Sequence, residues 1–459
     1  MKYICFLQVV LFVLFGAAWA TDHTEYVKGP FHSPQEVTQN CLSCHKEAAA
    51  EVMQTSHWTW LSQSPMKVPN HKQAVKIGKK NLFNNFCINL NSNWPRCTSC
   101  HAGYGWKDKS FDFTDEKNVD CLVCHDQTQT YKKSPAGAGY PDPKVNLLNV
   151  AQHVGKPTRE SCGICHFYGG GGENVKHGDL EPALIHPDAN MDIHMGKNEM
   201  TCIDCHVSEH HQIKGIATSV TAVAGNKQVE CTGCHTNEPH DSDILNSHFD
   251  RIACQTCHIP TYAKGLPTKI YWDWSQAGMD KPATKDEYGK ETFNKKKGSF
   301  KWGKDISPEY LWYNGTEERY LLGDKVDKNG VNRLNYPLGN KDDEKAKIYP
   351  FKVMRGKQIA DAKNNYLVVP KLWGGFWKNY DWNLAAKEGM ETVALPYSGK
   401  YTFVKTVMYW RVNHEVVGKD KALKCMDCHG EPSRLDWKAL GYEKSPVSPE
   451  EVKELMESN

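Results

Sequence analysis

The sequence predicts a mainly α-helical fold of short helices and loops, with little sheet. Three observations predict it. The 459 residues include 18 cysteines and 21 histidines, and a Cys-x-x-Cys-His frame recurs eight times. Seven of these frames lie between residues 41 and 258, which leaves no room for an independent core between them. Hydrophobic residues make up only 39% of the chain, so groups other than aliphatic side chains are expected to help fill the interior.

The eight frames predict covalently attached haem. Two thiols three residues apart on one helical turn reach the two vinyl groups of a haem, and the next histidine points its imidazole at the iron. Zinc sites are the alternative, but they pair two half-sites and do not require a histidine after every second cysteine. We therefore expect eight haem c groups, stacked against one another. The frames are Cys41/Cys44/His45, Cys97/Cys100/His101, Cys121/Cys124/His125, Cys162/Cys165/His166, Cys202/Cys205/His206, Cys231/Cys234/His235, Cys254/Cys257/His258 and Cys425/Cys428/His429.

The N-terminus has the pattern of a secretory signal. Residues 1–20 carry Lys2, then an apolar stretch, then the small-residue end Ala18-Trp19-Ala20. We expect export to the periplasm with cleavage near Ala20, an uncleaved membrane anchor being the alternative. No later stretch approaches the roughly 18 apolar residues of a spanning helix, so no stable membrane span is expected afterwards. The net charge is only +2 and no long basic run occurs, which argues against nucleic-acid binding.

The motif spacing divides the mature chain. Residues 21–258 form a heptahaem region, 259–424 contain no haem motif, and 425–459 hold the eighth motif and the tail. Because the haem-free segment leads into the eighth motif, we expect it to pack back on the haem array; a separate domain is the alternative. A few strands are expected there, around residues 366–369 and 401–404.

Thirteen histidines outside the motifs supply the candidate distal ligands. A haem that only carries electrons needs a strong sixth ligand, whereas an enzyme needs one iron whose sixth position is open or weakly held. We therefore expect seven haems with two histidine ligands and one different site. His23, His32, His71 and His186 are expected near the surface, with His153 as a reserve. The expected distal ligands are His57, His177, His194, one of His210 and His211 (His211 being preferred), His240, His248 and His414.

The different site is expected at a glycine-rich loop after the fourth motif. Gly169 to Gly172 allow close approach to a flat ring, and they precede Lys176 and His177. Here the chain resembles the octahaem tetrathionate reductases. The resemblance rests on the eight motifs and on the blocks NNFCINLNSNWPRCTSCHAGYGW, CHFYGGGGENVKHGDLE and CQTCHIP. It covers most of the chain and is least specific in the C-terminal segment.

The resemblance implies an active-site haem with a lysine as distal ligand, which matches Lys176, and a pocket cysteine, which matches Cys87. By motif order, His101 is then the proximal ligand. A neutral amine can bind iron, but free lysine has a pKa of about 10.4, so burial and the metal's charge must hold it neutral. A solvated loop lysine is the alternative for Lys176. Cys87 is the one mature thiol outside a motif, and it is either a nucleophile toward a polythionate sulfur or a buried structural residue.

Two other features could serve this pocket. Lys76, Lys79, Lys80 and Arg96 could supply a positive field for an anion, or form a solvated basic face. Glu173 could gate protons.

The expected function is reduction of a small oxyanion by haem-dependent catalysis. For tetrathionate this is a two-electron reduction to thiosulfate, and the same pocket could convert nitrite or hydroxylamine to ammonium. The expected partners are this substrate and an electron-donor cytochrome or quinol-linked protein. An octahaem nitrite or hydroxylamine reductase and a non-catalytic electron carrier are the alternatives.

Overall fold

The computed structural model describes residues 22–61, 70–72, 76–86, 88–215 and 228–457. The expected signal peptide, residues 1–20, and Cys87 lie outside these ranges. Across the ranges, no helix has the length and hydropathy needed to cross a membrane. The α-helices are α1 Pro34–Leu42, α2 Ala48–Met53, α3 Ser56–Thr59, α4 Trp94–Cys97, α5 Leu122–His125, α6 Leu147–Gln152, α7 Arg159–His166, α8 Cys202–Cys205, α9 Asp243–Ser247, α10 Cys254–His258, α11 Trp377–Asn379, α12 Trp382–Thr392, α13 Cys425–His429 and α14 Pro449–Glu457.

Most haem motifs lie on one or two helical turns, and local capping explains two of them. In α7 the Thr158 side chain accepts a hydrogen bond from the Ser161 backbone while Ser161 caps in return, which starts the helix just before the fourth motif. Thr201 and Asp204 form the same reciprocal cap at α8. Short 3-10 or π turns complete the set at Thr98–Cys100, Glu116–Asn118, Pro182–Ile185, Ile193–Lys197, Cys231–Gly233, His248–Asp250, Trp274–Gln276 and Leu372–Phe376.

The sheet between the seventh and eighth motifs is much larger than the few strands expected there. A seven-stranded mixed sheet forms there, in the order β4-β5-β3-β10-β11-β8, with β6 also paired to β10. Two small two-stranded sheets pair β1 with β2 and β7 with β9. The strands are β1 Ser208–Glu209, β2 Gln212–Ile213, β3 Thr268–Asp273, β4 Phe293–Asn294, β5 Gly298–Gly303, β6 Glu309–Tyr313, β7 Glu317–Arg319, β8 Val331–Arg333, β9 Asn335–Pro337, β10 Lys347–Asp361 and β11 Tyr401–Arg411.

The longest ladder of the sheet joins β10 and β11 antiparallel, with Phe351 opposite Arg411 and Asp361 opposite Tyr401. Almost every residue of β10 is buried, on both faces. A strand buried on both faces lacks the alternation of apolar and polar residues that marks a half-exposed strand. For this reason the hydrophobic pattern of β10 does not predict a strand. The expected strand around 401–404 lies within β11. The segment 366–369 follows β10 and forms only isolated bridges, such as Leu367 with Ala360.

The main hydrophobic core joins this sheet to the haem region. Met354 of β10 and Trp410 of β11 share one buried cluster with Phe86, which precedes the second motif, and with Val175 of the glycine-rich loop. The haem-free segment therefore packs directly on the residues around the second and fourth motifs.

Shortening a core side chain should measure how tightly this cluster is packed. Ile359 on β10 is fully buried, so Ile359→Val removes one methylene and leaves a small cavity. We expect the free energy of unfolding to fall by about 1 kcal/mol, measured by urea denaturation of the holoprotein with circular dichroism. Val331→Ala, at an exposed position of β8, is the control and should change stability by less than about 0.5 kcal/mol. Equal effects at both positions would contradict the expectation.

Candidate functional site

Seven of the eight motif histidines face a second histidine that lies outside the motifs. Their ring centroids are 6.0 to 6.4 Å apart. The pairs, with the motif histidine first, are His45 with His23, His125 with His211, His166 with His57, His206 with His414, His235 with His194, His258 with His240 and His429 with His248.

This separation fits a metal between the rings. An imidazole nitrogen binds a transition metal at about 2 Å and lies roughly 1.1 Å from its ring centroid, so two rings on one iron stand about 6.3 Å apart. The seven pairs match this value, and adjacent motif cysteines supply the thioether attachment. The residues therefore fit seven haems with a histidine on each face.

Hydrogen bonds at the outer ring nitrogen orient many of these histidines. In these histidines Nδ1 bonds a nearby oxygen, which leaves Nε2 free to bind a metal, as is usual for metal-ligating histidine. Backbone or hydroxyl oxygens accept from His125 (Gly155, 2.8 Å), His206 (Lys214, 2.8 Å), His258 (Val417, 3.3 Å), His429 (Ser445, 2.8 Å) and His248 (Ile244, 2.8 Å).

The structure places six of the seven expected distal histidines opposite a motif histidine, and two placements differ from expectation. His23, expected near the surface, faces His45. His177 does not face a motif histidine among the described ring contacts; its ring lies 5.1 Å from that of Trp410. Between the neighbours His210 and His211, both of which contact Glu51, His211 is the one that faces His125.

The sequence signal for His23 is weak. It lies beside the expected cleavage site and ahead of the first motif, so only its closeness in sequence to Cys41 could have indicated its role. His153, the reserve, bonds the Asn149 carbonyl through Nδ1 (2.7 Å) and is absent from the seven pairs.

Cysteine contacts show which motifs are neighbours in space. Four pairs of cysteine side chains from different motifs lie next to each other: Cys41 with Cys121, Cys100 with Cys165, Cys162 with Cys202 and Cys231 with Cys254. The first motif therefore adjoins the third, the second adjoins the fourth, the fourth adjoins the fifth, and the sixth adjoins the seventh. Haems attached to these cysteines would therefore lie close to one another, as electron transfer between them requires.

The second motif differs from the other seven. His101 is fully buried against Trp58, Trp60, Trp106 and Phe111, and its Nε2 lies 2.7 Å from the Trp58 carbonyl oxygen. The paired-ring geometry is therefore not formed here within the described residues. The His101 ring would have to turn away from that carbonyl to bind iron, and its buried Nδ1, which has no hydrogen-bond partner, does not oppose the turn.

Lys176 lies beside this second motif. Its Nζ is 5.3 Å from the centre of the Trp410 ring, and it lines the same large, partly open cavity as Cys100 and Lys79. Burial and the nearby Lys79 ammonium together lower the pKa of Lys176 to about 7. An amine with such a pKa is largely neutral at slightly alkaline pH, which is the form that binds a metal.

The glycine-rich loop brings this lysine to its place. Gly170 has a φ of +97°, and a Cβ there would stand 2.5 Å from the Phe86 ring. Only glycine allows this approach between the loop and the block that precedes the second motif.

The other residues expected at this pocket lie in different surroundings. Lys79 lies 3.9 Å from the centre of the Trp60 ring, and Lys80 lies 3.4 Å from that of Phe113, where burial lowers the pKa of Lys80 to about 8. Arg96 stacks near Trp373 at 5.9 Å, and Lys76 is exposed. Glu173 pairs with Lys290 at 3.1 Å near the surface. Cys87 lies outside the described residues.

A buried carboxylate supports one of the histidine pairs. Asp179, three residues after Lys176, accepts hydrogen bonds at Oδ2 from the backbone N–H groups of Asn413 (2.7 Å) and His414 (3.0 Å). The same oxygen accepts from Nδ1 of His414 (3.2 Å). A carboxylate on the outer nitrogen makes the imidazole a stronger donor to iron and so stabilises the ferric state.

Weakening that acceptor should raise one reduction potential. In Asp179→Asn we expect the midpoint potential of one haem of the eight to rise, measured by redox titration with absorption and electron paramagnetic resonance. Asp280→Asn, at a carboxylate that pairs with Lys295 on the surface, is the control and should leave all potentials in place. An unchanged titration curve in Asp179→Asn would show that the carboxylate only holds the backbone.

Comparisons with known proteins agree with this geometry. A family model described as "Cytochrome c554 and c-prime" matches residues 40–126, and one described as "Cytochrome c bacterial" matches residues 269–432. An uncharacterized protein of Archaeoglobus fulgidus is 23% identical over 245 residues, which cover 42% of this chain and 80% of that protein.

A solved structure matches nearly the whole chain. The crystal structure of octaheme cytochrome c from Shewanella oneidensis superposes with a TM-score of 0.88 at 52% sequence identity, covering 93% of this chain and 98% of that one. At this identity and coverage the likeness extends to the sequence as well as to the fold. The chain belongs to the octahaem c-type cytochromes, which are haem-dependent redox proteins.

Proposed function

We propose that this cytochrome is a periplasmic reductase that converts tetrathionate to thiosulfate in the pocket beside Lys176. The observation that carries the proposal is the contrast between seven histidine pairs and one motif, around His101, that has the half-buried Lys176 as its neighbour instead. Haems with two histidine ligands are suited to electron transfer, whereas one haem with a different, displaceable ligand is suited to binding and reducing a substrate.

The residues of the pocket have complementary roles in this proposal. Lys176 and Lys79 line the same cavity, and the Lys79 ammonium is near enough to lower the pKa of Lys176, so in this proposal the two side chains together attract an anion with charge at both ends. A protonated Lys176 would not bind a haem iron and would instead add a positive charge that attracts the substrate. The Trp410 ring lies 5.3 Å from the Lys176 Nζ and 5.7 Å from the Phe86 ring, so apolar surface adjoins the amine and strengthens its attraction for an anion.

The proposed reaction is balanced in atoms, electrons and charge. Tetrathionate takes up two electrons, its central S–S bond breaks, and two thiosulfate ions leave without net proton uptake. Haem, when bound, supplies these electrons one at a time. The electrons come from an electron-donor cytochrome or a quinol-linked protein, and nitrite or hydroxylamine, which give ammonium, are further proposed substrates of the same pocket.

The test is oxidation of reduced methyl viologen by the purified holoprotein, with tetrathionate, nitrite and hydroxylamine compared at equal concentrations. Turnover with tetrathionate, and two thiosulfates formed per tetrathionate consumed, is the expected result. Turnover with the nitrogen compounds alone would transfer the proposal to an octahaem nitrite or hydroxylamine reductase. No turnover with any of the three would leave an electron carrier, a role that the seven histidine pairs also fit.

A further inference from the structure

Lys352 is a buried lysine that the proposed reaction does not use directly. It lies on β10 in the middle of the sheet, and its side chain is fully inaccessible to solvent. Burying an ammonium group is costly unless several acceptors surround it. Lys352 is therefore expected to donate hydrogen bonds to several acceptors.

Its acceptors belong to the loop that carries Lys176. The Lys352 Nζ donates to the carbonyl oxygen of Val175 (2.7 Å) and to that of Lys176 itself (3.0 Å). It also bonds the hydroxyl of Thr268 on β3. Two successive peptide groups of the loop are thus tied to one side chain of the sheet.

The preceding loop residue, Asn174, is also tied to the sheet. We call the hydrogen bonds from Lys352 and Thr268 to the loop carbonyls the clamp. The Thr268 hydroxyl donates to the carbonyl oxygen of Asn174, and the Asn174 side chain donates to the Leu266 carbonyl (2.7 Å). Three consecutive carbonyls, from residues 174 to 176, are therefore held by the sheet. The Lys176 side chain lines the same cavity as Cys100 of the second motif, and its Nζ lies 5.3 Å from the centre of the Trp410 ring.

We propose that Lys352, with Thr268, is a positioning residue that holds the backbone of Lys176 so that its amine stays at the candidate active-site haem. This rests on the proposed function, since it deepens the account of the same pocket. Four glycines precede the clamped segment, so the chain on that side has little stiffness of its own. The sheet supplies the rigidity that the loop lacks, and rigid support keeps a reactive group in place.

Burial lowers the pKa of Lys352 to about 7, and the Asp179 carboxylate on the same loop opposes this fall. Asp179 also accepts a hydrogen bond from His414, so this loop contacts both Lys352 and one of the histidine pairs.

The test compares Lys352→Met with Lys357→Met in the purified holoprotein. Lys357 lies on the same strand and pairs with Asp273 nearer the surface, so it receives the same substitution without touching the three carbonyls. The first readout is the ferric absorption and electron paramagnetic resonance spectrum. We expect Lys352→Met to shift one haem of the eight toward high spin or mixed ligation, and Lys357→Met to leave the spectrum unchanged.

The second readout is steady-state tetrathionate reduction. We expect kcat to fall about tenfold in Lys352→Met with a smaller change in KM, because a misplaced group lowers the rate more than binding. Thr268→Val removes the hydroxyl at nearly constant volume and should give the same spectral change to a lesser extent. If Lys352→Met does not accumulate as holoprotein, the spectrum of Thr268→Val tests the inference in its place.

A wild-type spectrum in both Lys352→Met and Thr268→Val would overturn the inference, whatever the turnover. The proposed function fails in a different way, through absence of tetrathionate turnover in the unmodified protein. The spectra do not depend on turnover, so failure of this inference can be distinguished from failure of the proposed function.

Discussion

Replacing Lys176 by methionine is expected to lower tetrathionate reduction by about 100-fold or more and to change the spectrum of one haem of the eight. Methionine preserves the length and packing of the side chain but removes the amine, which is both the proposed distal ligand and the cation that attracts the dianion. The measurement is viologen-linked turnover, followed by ferric absorption and electron paramagnetic resonance spectra of the same samples.

An exposed lysine provides the control for this prediction. Lys378 lies on α11 at the surface, and Lys378→Met should retain full turnover and an unchanged spectrum. If Lys176→Met kept both the rate and the spectrum of the unmodified protein, Lys176 would be neither ligand nor substrate cation. A changed spectrum with retained turnover would separate its role as a ligand from any role in catalysis.

The second large effect is expected at His57 and contrasts with His177. The His57 ring faces His166 with centroids 6.1 Å apart, whereas the His177 ring packs at 5.1 Å from that of Trp410. In His57→Phe one haem should lose its sixth ligand and become high-spin, because phenylalanine cannot bind iron. In His177→Phe the aromatic contact is retained, and all seven histidine-paired haems should stay low-spin.

The two variants are matched, since both replace a half-buried histidine by the same aromatic residue in the same region of the protein. The number of high-spin haems, counted by integrated electron paramagnetic resonance, decides the outcome. A high-spin haem in His177→Phe but not in His57→Phe would reverse the assignment and restore the sequence-based expectation for His177.

Much of the site could be read from the sequence because thioether attachment imposes a fixed local spacing. The eight motifs are local features, and so is the glycine-rich loop that carries Lys176. Distal histidines are harder, since nothing local fixes which one reaches a given iron. His177 was expected to be a ligand because it adjoins Lys176, but the packing of β11 places Trp410 against its ring instead.

Most of the sheet could not be predicted from the sequence, for a related reason. The β10 strand contains Lys352 and Gln358, which are polar yet fully buried, so its sequence lacks a clean hydrophobic run. These residues are buried because they hold backbone groups of the haem region: Lys352 holds Val175 and Lys176, and Gln358 donates to the Asn84 carbonyl. Contacts of this kind depend on tertiary structure, and no pattern within the strand reveals them.

The partnership of His206 with His414 has a consequence for how the protein is made. His206 precedes residues 259–411 and His414 follows them, so the pair can form only after the whole sheet segment has been synthesised. Closure of this long loop is slow relative to local helix formation. A haem attached at the fifth motif would therefore have a histidine on one face only until this segment has folded. Its change from five to six ligands would then report that the C-terminal sheet has formed.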